Sequence, residues 1–141
     1  MLGSYGGQFA SFDWTFSPRG EDGRPQPMFD RSTGAVDRTV AAYWRAHYDL
    51  AASLDRLTPA DRQALVGRIH LWVGGSDTFY LDSAGRRFDG AAKSAGIDAT
   101  VTIIPGRSHA DLYTVGTNEL GLFDTIAAQM LAASRQSAGR R

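Results

Sequence analysis

The 141-residue sequence contains no cysteine. That absence excludes disulfides, thiolate metal sites and cysteine nucleophiles together. It leaves the compartment open, because a larger secreted domain need not be cross-linked. An excess of either charge is also missing: 15 Lys+Arg balance 15 Asp+Glu, so the formal net charge is zero. A neutral chain has no broad electrostatic reason to bind nucleic acid or an anionic membrane. No apolar run approaches the ~18 residues that span a bilayer. The opening residues, MLGSYGGQFA, lack the basic and apolar regions of a signal peptide, so a cytoplasmic protein is the default expectation if Met1 is the true start. Three histidines without cysteine or an H-x-x-x-H spacing give no zinc signature. Gly74-Gly75 lacks the Lys-Ser/Thr of a phosphate loop, so no cofactor is expected. With 43% hydrophobic and 21% charged residues, the composition is that of an ordinary folded domain.

Residues 1–36 are the least regular stretch. Six glycines and Pro18, Pro25 and Pro27 punctuate it, yet Phe9, Phe12, Trp14, Phe16, Met28 and Phe29 are interleaved with them. A disordered linker would be poor in such aromatics, so an ordered excursion whose aromatics bury against something is expected. Residues 37–66 read as helical. Val36, Val40, Tyr43, Trp44, Tyr48, Ala51 and Leu54 recur at three- and four-residue steps, predicting one helix from Asp37 to about Leu57, capped by Asp37 or Thr33. Thr58-Pro59-Ala60-Asp61 restarts a short helix: a hydroxyl cap, proline at the first position and an acid near the positive end of the dipole.

Residues 67–134 carry the most regular pattern. Arg68–Val73 reads as a buried strand, Leu81–Ala95 as a helix stopped by Gly96, Ile97–Ile104 as a strand of period two, and Glu119–Ser134 as an amphipathic helix capped by Asn118. Residues 135–141 form a basic tail expected to fray. Strand, helix, strand, helix is a βαβ crossover with a packing helix, hence an α/β fold with a parallel pair of strands. Parallel sheets rarely stand as two strands alone, so this pair reads as part of a larger sheet.

Two residues stand where chemistry collects in such a fold. Asp77 lies just past the end of the first strand and His109 just past the second, at the carboxyl edge where open α/β sheets place their ligands. Adjacent strands lie roughly 4.8 Å apart. Their loops can therefore bring the two side chains together across 109 − 77 = 32 residues, the length of one crossover. A carboxylate accepting from one imidazole nitrogen fixes the tautomer and leaves the other as a base. Acid before histidine is also the chain order of α/β hydrolases, in which a serine precedes both. The bland alternative is an aspartate forming a turn after two glycines and a histidine on the surface. Asp82 and Asp111 are rival acids, but Asp82 suits a helix start, and Asp111 lies too near His109 to be placed by a separate strand.

Two phrases, Gly67-Arg-Ile-His-Leu-Trp-Val-Gly-Gly-Ser-Asp-Thr-Phe-Tyr-Leu-Asp82 and Ile104-Pro-Gly-Arg-Ser-His-Ala-Asp-Leu-Tyr113, resemble the acid and histidine segments of esterases with the α/β-hydrolase fold. Upstream, Phe16–Pro25, Met28–Gly34 and Tyr43–Leu50 resemble the stretch preceding the acid strand in that group. The resemblance covers about Leu2 to Met130. It implies that Asp77 is the acid and His109 the base of a serine-hydrolase triad acting on an ester-type small molecule. It also implies that the chain is the C-terminal portion of a longer enzyme, comprising the last two parallel strands with their crossover and terminal helices, preceded by a loop-and-helix excursion. The earlier strands, oxyanion loop and nucleophile elbow have no counterpart, so turnover by the chain alone is not expected.

No serine replaces the missing nucleophile convincingly. Leu2-Gly3-Ser4-Tyr5-Gly6 has Leu2 where a G-x-S-x-G elbow needs a small residue, and neither a strand before it nor a regular helix after it is expected. Ser76 and Ser108 sit beside the acid and the histidine and read as turn residues. His70 reads as packed within its strand, and His47 as a packing or rim residue beside Trp44 and Tyr48. Arg19, Arg24, Arg31 and Arg38 read as a solvated face. The second functional class is a non-catalytic binding or self-assembly module, a homo-oligomer joined through the exposed sheet edge and the aromatics.

Overall fold

Capping chemistry and glycine placement set most of the element boundaries. A computed structural model describes residues 7–138, with side chains through residue 135. Ser4 lies outside the described residues. The chain divides into two units, one ending at Arg56 and one beginning at Leu57. The helical segment expected over 37–66 is therefore split between them.

Among the described residues the first unit holds α1 (Gln8–Phe16), α2 (Arg38–Tyr48) and α3 (Leu50–Leu54). The excursion is thus not wholly irregular, since Phe9, Phe12, Trp14 and Phe16 ride on α1, although Trp14 stays 55% exposed rather than buried. Phe9 packs edge-to-face on Phe12 and Phe29, and Phe16 on Trp44 and Tyr48 of α2. These contacts give the aromatics the apolar neighbours that a linker would lack. Trp44 Nε1–H donates to Ser17 Oγ at 2.9 Å, and Val40 is completely buried.

Between α1 and α2 the chain is held by local turns. Asp30 Oδ1 accepts from the amides and hydroxyls of Ser32 and Thr33, and a short antiparallel bridge joins Phe29 to Val36. Thr33 is engaged in that turn, and the α2 cap is Asp37, which accepts from the Thr39 and Val40 amides. The single helix expected from Asp37 to Leu57 breaks at Asp49. That residue adopts an extended ψ of 104° and caps α3 through the Ala52 amide. Side-chain competition with the backbone favours such a break at an aspartate. Arg31 is not a solvated charge either. Its guanidinium pairs with Asp13, whose side chain is 9% exposed, and Asp13 also accepts from the Met28 amide.

The second unit begins with α4 (Pro59–Leu65), whose N-terminus is a complete capping box: Asp61 N–H donates to Thr58 Oγ1, and the Asp61 carboxylate accepts from the Thr58 amide. Next come β1 (Ile69–Gly74), α5 (Leu81–Ser94), β2 (Ala99–Ile104) and α6 (Gly121–Ala138). β1 and β2 pair in parallel in one two-stranded sheet, from Ile69 opposite Ala99 to Gly74 opposite Ile104. The α/β class and parallel crossover expected from the pattern are observed. α5 lies against both strands. Gly85 is the contact point: a methyl group there would stand 3.2 Å from Val73 Cγ2 and 3.5 Å from Ile103 Cδ1.

The other face of the sheet corrects one expectation. His70 is not packed in the sheet: it is exposed with Thr100 and Thr102, its ring stacked on Trp72 at 5.9 Å. Alternation turns His70 away from the face that α5 covers. The second strand starts at Ala99 rather than Ile97, because Ile97 is buried in the helix-ending turn, its amide donating to the Ala92 carbonyl. The last helix starts two residues later than expected and continues through Ala138, into the stretch expected to fray. Asn118 precedes it, accepting from the Leu120 amide and donating to Asp124. Leu112 and Leu122 join Val73, Ala92 and Ile97 as buried apolar residues of this unit. No helix among the described residues is long and apolar enough to cross a membrane.

Candidate active site

The paired strands do not stop interacting at their ends. Beyond Gly74 the Gly75 amide donates to the Ile104 carbonyl at 2.8 Å and the Ser76 amide to the Arg107 carbonyl at 2.9 Å. The two loops are thus stitched together immediately before Asp77 and His109. Gly74 makes this possible. A Cβ there would lie 2.4 Å from the Arg107 carbonyl oxygen and 2.7 Å from that of Ser108, so only a residue without a side chain admits the loop. Gly106 turns that loop with φ of +71°. Asp111 then closes it by accepting from the Ser108 amide at 2.5 Å and its hydroxyl at 2.7 Å. The Ser108 hydroxyl and amide hold the Asp111 carboxyl below its usual range.

At the end of these loops His109 Nδ1 stands 3.0 Å from Asp77 Oδ2. The Asp77 side chain is 1% exposed and the His109 side chain 47%. Burial pushes the Asp77 carboxyl up, but the Phe79 amide, His109 and the Leu81 amide together outweigh it and hold the group below the ordinary aspartate value. An ionised carboxylate only accepts, so Nδ1 carries the hydrogen in this bond, and in the neutral ring Nε2 is the basic nitrogen. One nitrogen is tied to a buried anion and the ring is otherwise half open to solvent, the geometry that an oriented general base requires.

The rival acids are occupied elsewhere. Asp82 faces Arg86 along α5 at 3.9 Å, and Asp111 belongs to the turn and to Arg107 at 3.6 Å. Ser108 Oγ donates to Asp111, and Ser76 contributes its amide to the stitched loops, so both serve the turns as expected. Among the described residues no serine hydroxyl is hydrogen-bonded to His109. His47 stacks on Tyr43 at 4.0 Å and bonds to that residue's carbonyl, a packing contact within its own helix. No group of three or more His, Cys, Asp or Glu among the described residues could hold a metal ion.

Two contributors escaped the reading of residue types. Gly74 was visible only as half of a turn-forming pair, although consecutive glycines at a strand end also signal a close backbone approach. Phe79 carried no signal: its amide donates to Asp77 Oδ1 at 2.7 Å, and its ring meets the His109 ring edge-to-face at 4.8 Å. Compared with protein-family models, curated proteins and solved structures, the chain matches none.

Proposed function

We propose that Asp77 and His109 are the acid and the general base of a serine hydrolase of the α/β-hydrolase type, acting on an ester-type small molecule. The observation that carries this reading is the 3.0 Å bond from His109 Nδ1–H to a carboxylate that is itself buried, ionised and aimed by a backbone amide. In such a site Nε2 takes the proton of a serine hydroxyl as that oxygen attacks the ester carbonyl. It then returns the proton to the leaving alcohol, while Asp77 stabilises the imidazolium formed in between. The serine and the donors for the oxyanion come from outside residues 7–138, and the chain supplies the C-terminal units of the fold. Without those groups the chain alone lacks most of the catalytic apparatus and turns over esters no faster than background.

The test starts with the coding sequence. An in-frame G-x-S-x-G upstream of Met1 is expected, and the longer product should hydrolyse p-nitrophenyl acetate with activity lost in both Ser→Ala at the elbow and His109→Ala. A longer product whose hydrolysis survives His109→Ala overturns the proposal. Hydrolysis by residues 1–141 alone, abolished by His109→Ala, overturns the requirement for an external serine.

A second reading is favoured by the sheet itself. Among the described residues the sheet has two strands, so each has one unpaired edge, and the face bearing His70, Thr100 and Thr102 is exposed. Exposed strand edges are templates for pairing with another chain, so self-assembly through this sheet is the alternative. Sedimentation of the purified chain separates the two: a stable, stoichiometric oligomer favours an assembly module, and a monomer or non-stoichiometric aggregate counts against it.

A further inference from the structure

Phe79 touches both members of the dyad, by two different parts of the residue. Its amide donates to Asp77 Oδ1, closing a turn in which the aspartate side chain caps the residue two positions ahead. Its ring lies 4.8 Å from the His109 ring, at 73° to it. The ring is not a core residue that meets the histidine incidentally, because Phe79 is 56% exposed. The backbone after it is costly. Tyr80 sits at φ +59°, the left-handed region, and is the only non-glycine residue with positive φ among the described residues. It is 78% exposed, so burial of its own side chain does not offset that conformation. The Tyr80 amide donates to the Asp77 carbonyl and its carbonyl accepts from the Ser83 amide, so the strained residue holds the turn between Asp77 and α5. Such a turn also fixes what it presents. Here that is the Phe79 side chain, directed across the loop onto His109.

We propose that Phe79 is a positioning residue for the general base: its ring blocks rotation of the His109 imidazole, so that Nδ1 stays on Asp77 and Nε2 stays outward. This deepens the hydrolase reading and rests on it for the role of His109. An imidazole held by one hydrogen bond at 3.0 Å keeps a rotational freedom that a half-exposed position does not remove. An aromatic edge against the ring supplies a steric and quadrupolar restraint in the missing direction. Arg107 pairs with Asp111 on the histidine loop, and Asp82 with Arg86 at the start of α5. Asp77 and the Phe79 ring are the two groups that meet the His109 ring, one by hydrogen bond and one edge-to-face.

The test reads the imidazole nitrogens of His109 by 15N NMR on the chain as it exists, at a pH where the ring is neutral. The wild type should show one tautomer, with Nδ1 protonated and Nε2 basic. Phe79→Ala keeps the backbone donor to Asp77 and removes only the ring. Its two nitrogen signals should move toward each other, as in a ring exchanging between tautomers, while the Val73 and Ile103 methyl signals stay in place. Phe79→Leu should show a smaller movement in the same direction, and it carries the test if Phe79→Ala does not fold. Phe79→Tyr should restore the wild-type signals. Unchanged nitrogen signals in folded Phe79→Ala, or in Phe79→Leu where the alanine variant does not fold, overturn the proposal. So does a failure of Phe79→Tyr to restore them. None of these outcomes depends on turnover, so the positioning role can fail while the hydrolase reading stands, and the reverse.

Discussion

Replacing Gly74 by alanine is the sharpest perturbation of the stitched loops. The added Cβ would stand 2.4 Å from the Arg107 carbonyl oxygen and 2.7 Å from that of Ser108. Carbon-to-oxygen contacts settle at about 3.3 Å or more, so the loop must retreat by roughly 1 Å. Both obstacles are backbone atoms, which cannot swing aside as a side-chain tip would. A retreat of that size breaks the 2.9 Å bond from the Ser76 amide to Arg107 and the 3.0 Å bond between His109 and Asp77. Overpacking of this kind costs about 1–3 kcal/mol, and the lost backbone bond adds about 1 kcal/mol. The sum, about 2–4 kcal/mol, lowers the urea midpoint of the second unit by about 1–2 M at an ordinary denaturant slope. Gly90→Ala is the control. It lies within α5 with nothing within 4 Å of the added carbon, and should stabilise by about 0.5–1 kcal/mol. Urea titrations followed by circular dichroism, with the His109 nitrogen signals recorded in parallel, measure both effects. A Gly74→Ala chain as stable as wild type, with the Asp77–His109 bond intact, would refute the claim that this close approach positions the histidine.

Three further outcomes follow from other parts of the molecule. Tyr80→Gly removes a left-handed aromatic and should raise stability by up to about 1 kcal/mol; a loss of stability in urea would show that the turn is not strained. Arg31→Met strands the Asp13 carboxylate in a site where it is 9% exposed, and should destabilise the first unit by about 3 kcal/mol. The paired change Asp13→Leu with Arg31→Met should cost less than Arg31→Met alone, and a double variant that is worse than the single one contradicts the pairing. Asp30, Asp61, Asp77 and Asp111 all titrate below the ordinary aspartate value when folded. A lowered folded value means that their contribution is complete above the unfolded value near 4 and is lost as pH falls through the folded values. Urea midpoints should therefore decline progressively below about pH 4, and a constant midpoint down to about pH 2 is the contrary result.

What could be read from the residues was governed by range. Thr58-Pro59-Ala60-Asp61 announces its capping box because every partner lies within four residues. The parallel crossover was legible for a similar reason: alternation at Thr100, Val101, Thr102 and Ile103 reports a half-covered strand whatever lies above it. The break at Asp49 was hidden because the apolar period runs straight through it, and a backbone-competing carboxylate overrode the period. Arg31 was hidden because its partner is 18 residues away and nothing local distinguishes it from the neighbouring arginines. The candidate acid and histidine were visible by position in the crossover. The Phe79 contact was not, because an aromatic following a turn carries no mark of the direction in which the turn aims it.

The pairing of β1 with β2 and the meeting of Asp77 with His109 are one event. In a parallel ladder a slip of one residue moves one strand by about 3.3 Å relative to the other and exchanges its faces. Applied here, it would carry Asp77 out of hydrogen-bond range of Nδ1 and put His70 where Leu71 meets α5. The dyad therefore works as a vernier on the sheet: it closes at a single setting of the two strands. It needs the chain to loop back across the whole 32-residue crossover, which makes it a non-local contact. A mis-registered chain would keep its helices and its far-ultraviolet signature while lacking the Asp77–His109 bond. The histidine's nitrogen spectrum, rather than helix content, is the measure of whether the two strands have reached this register.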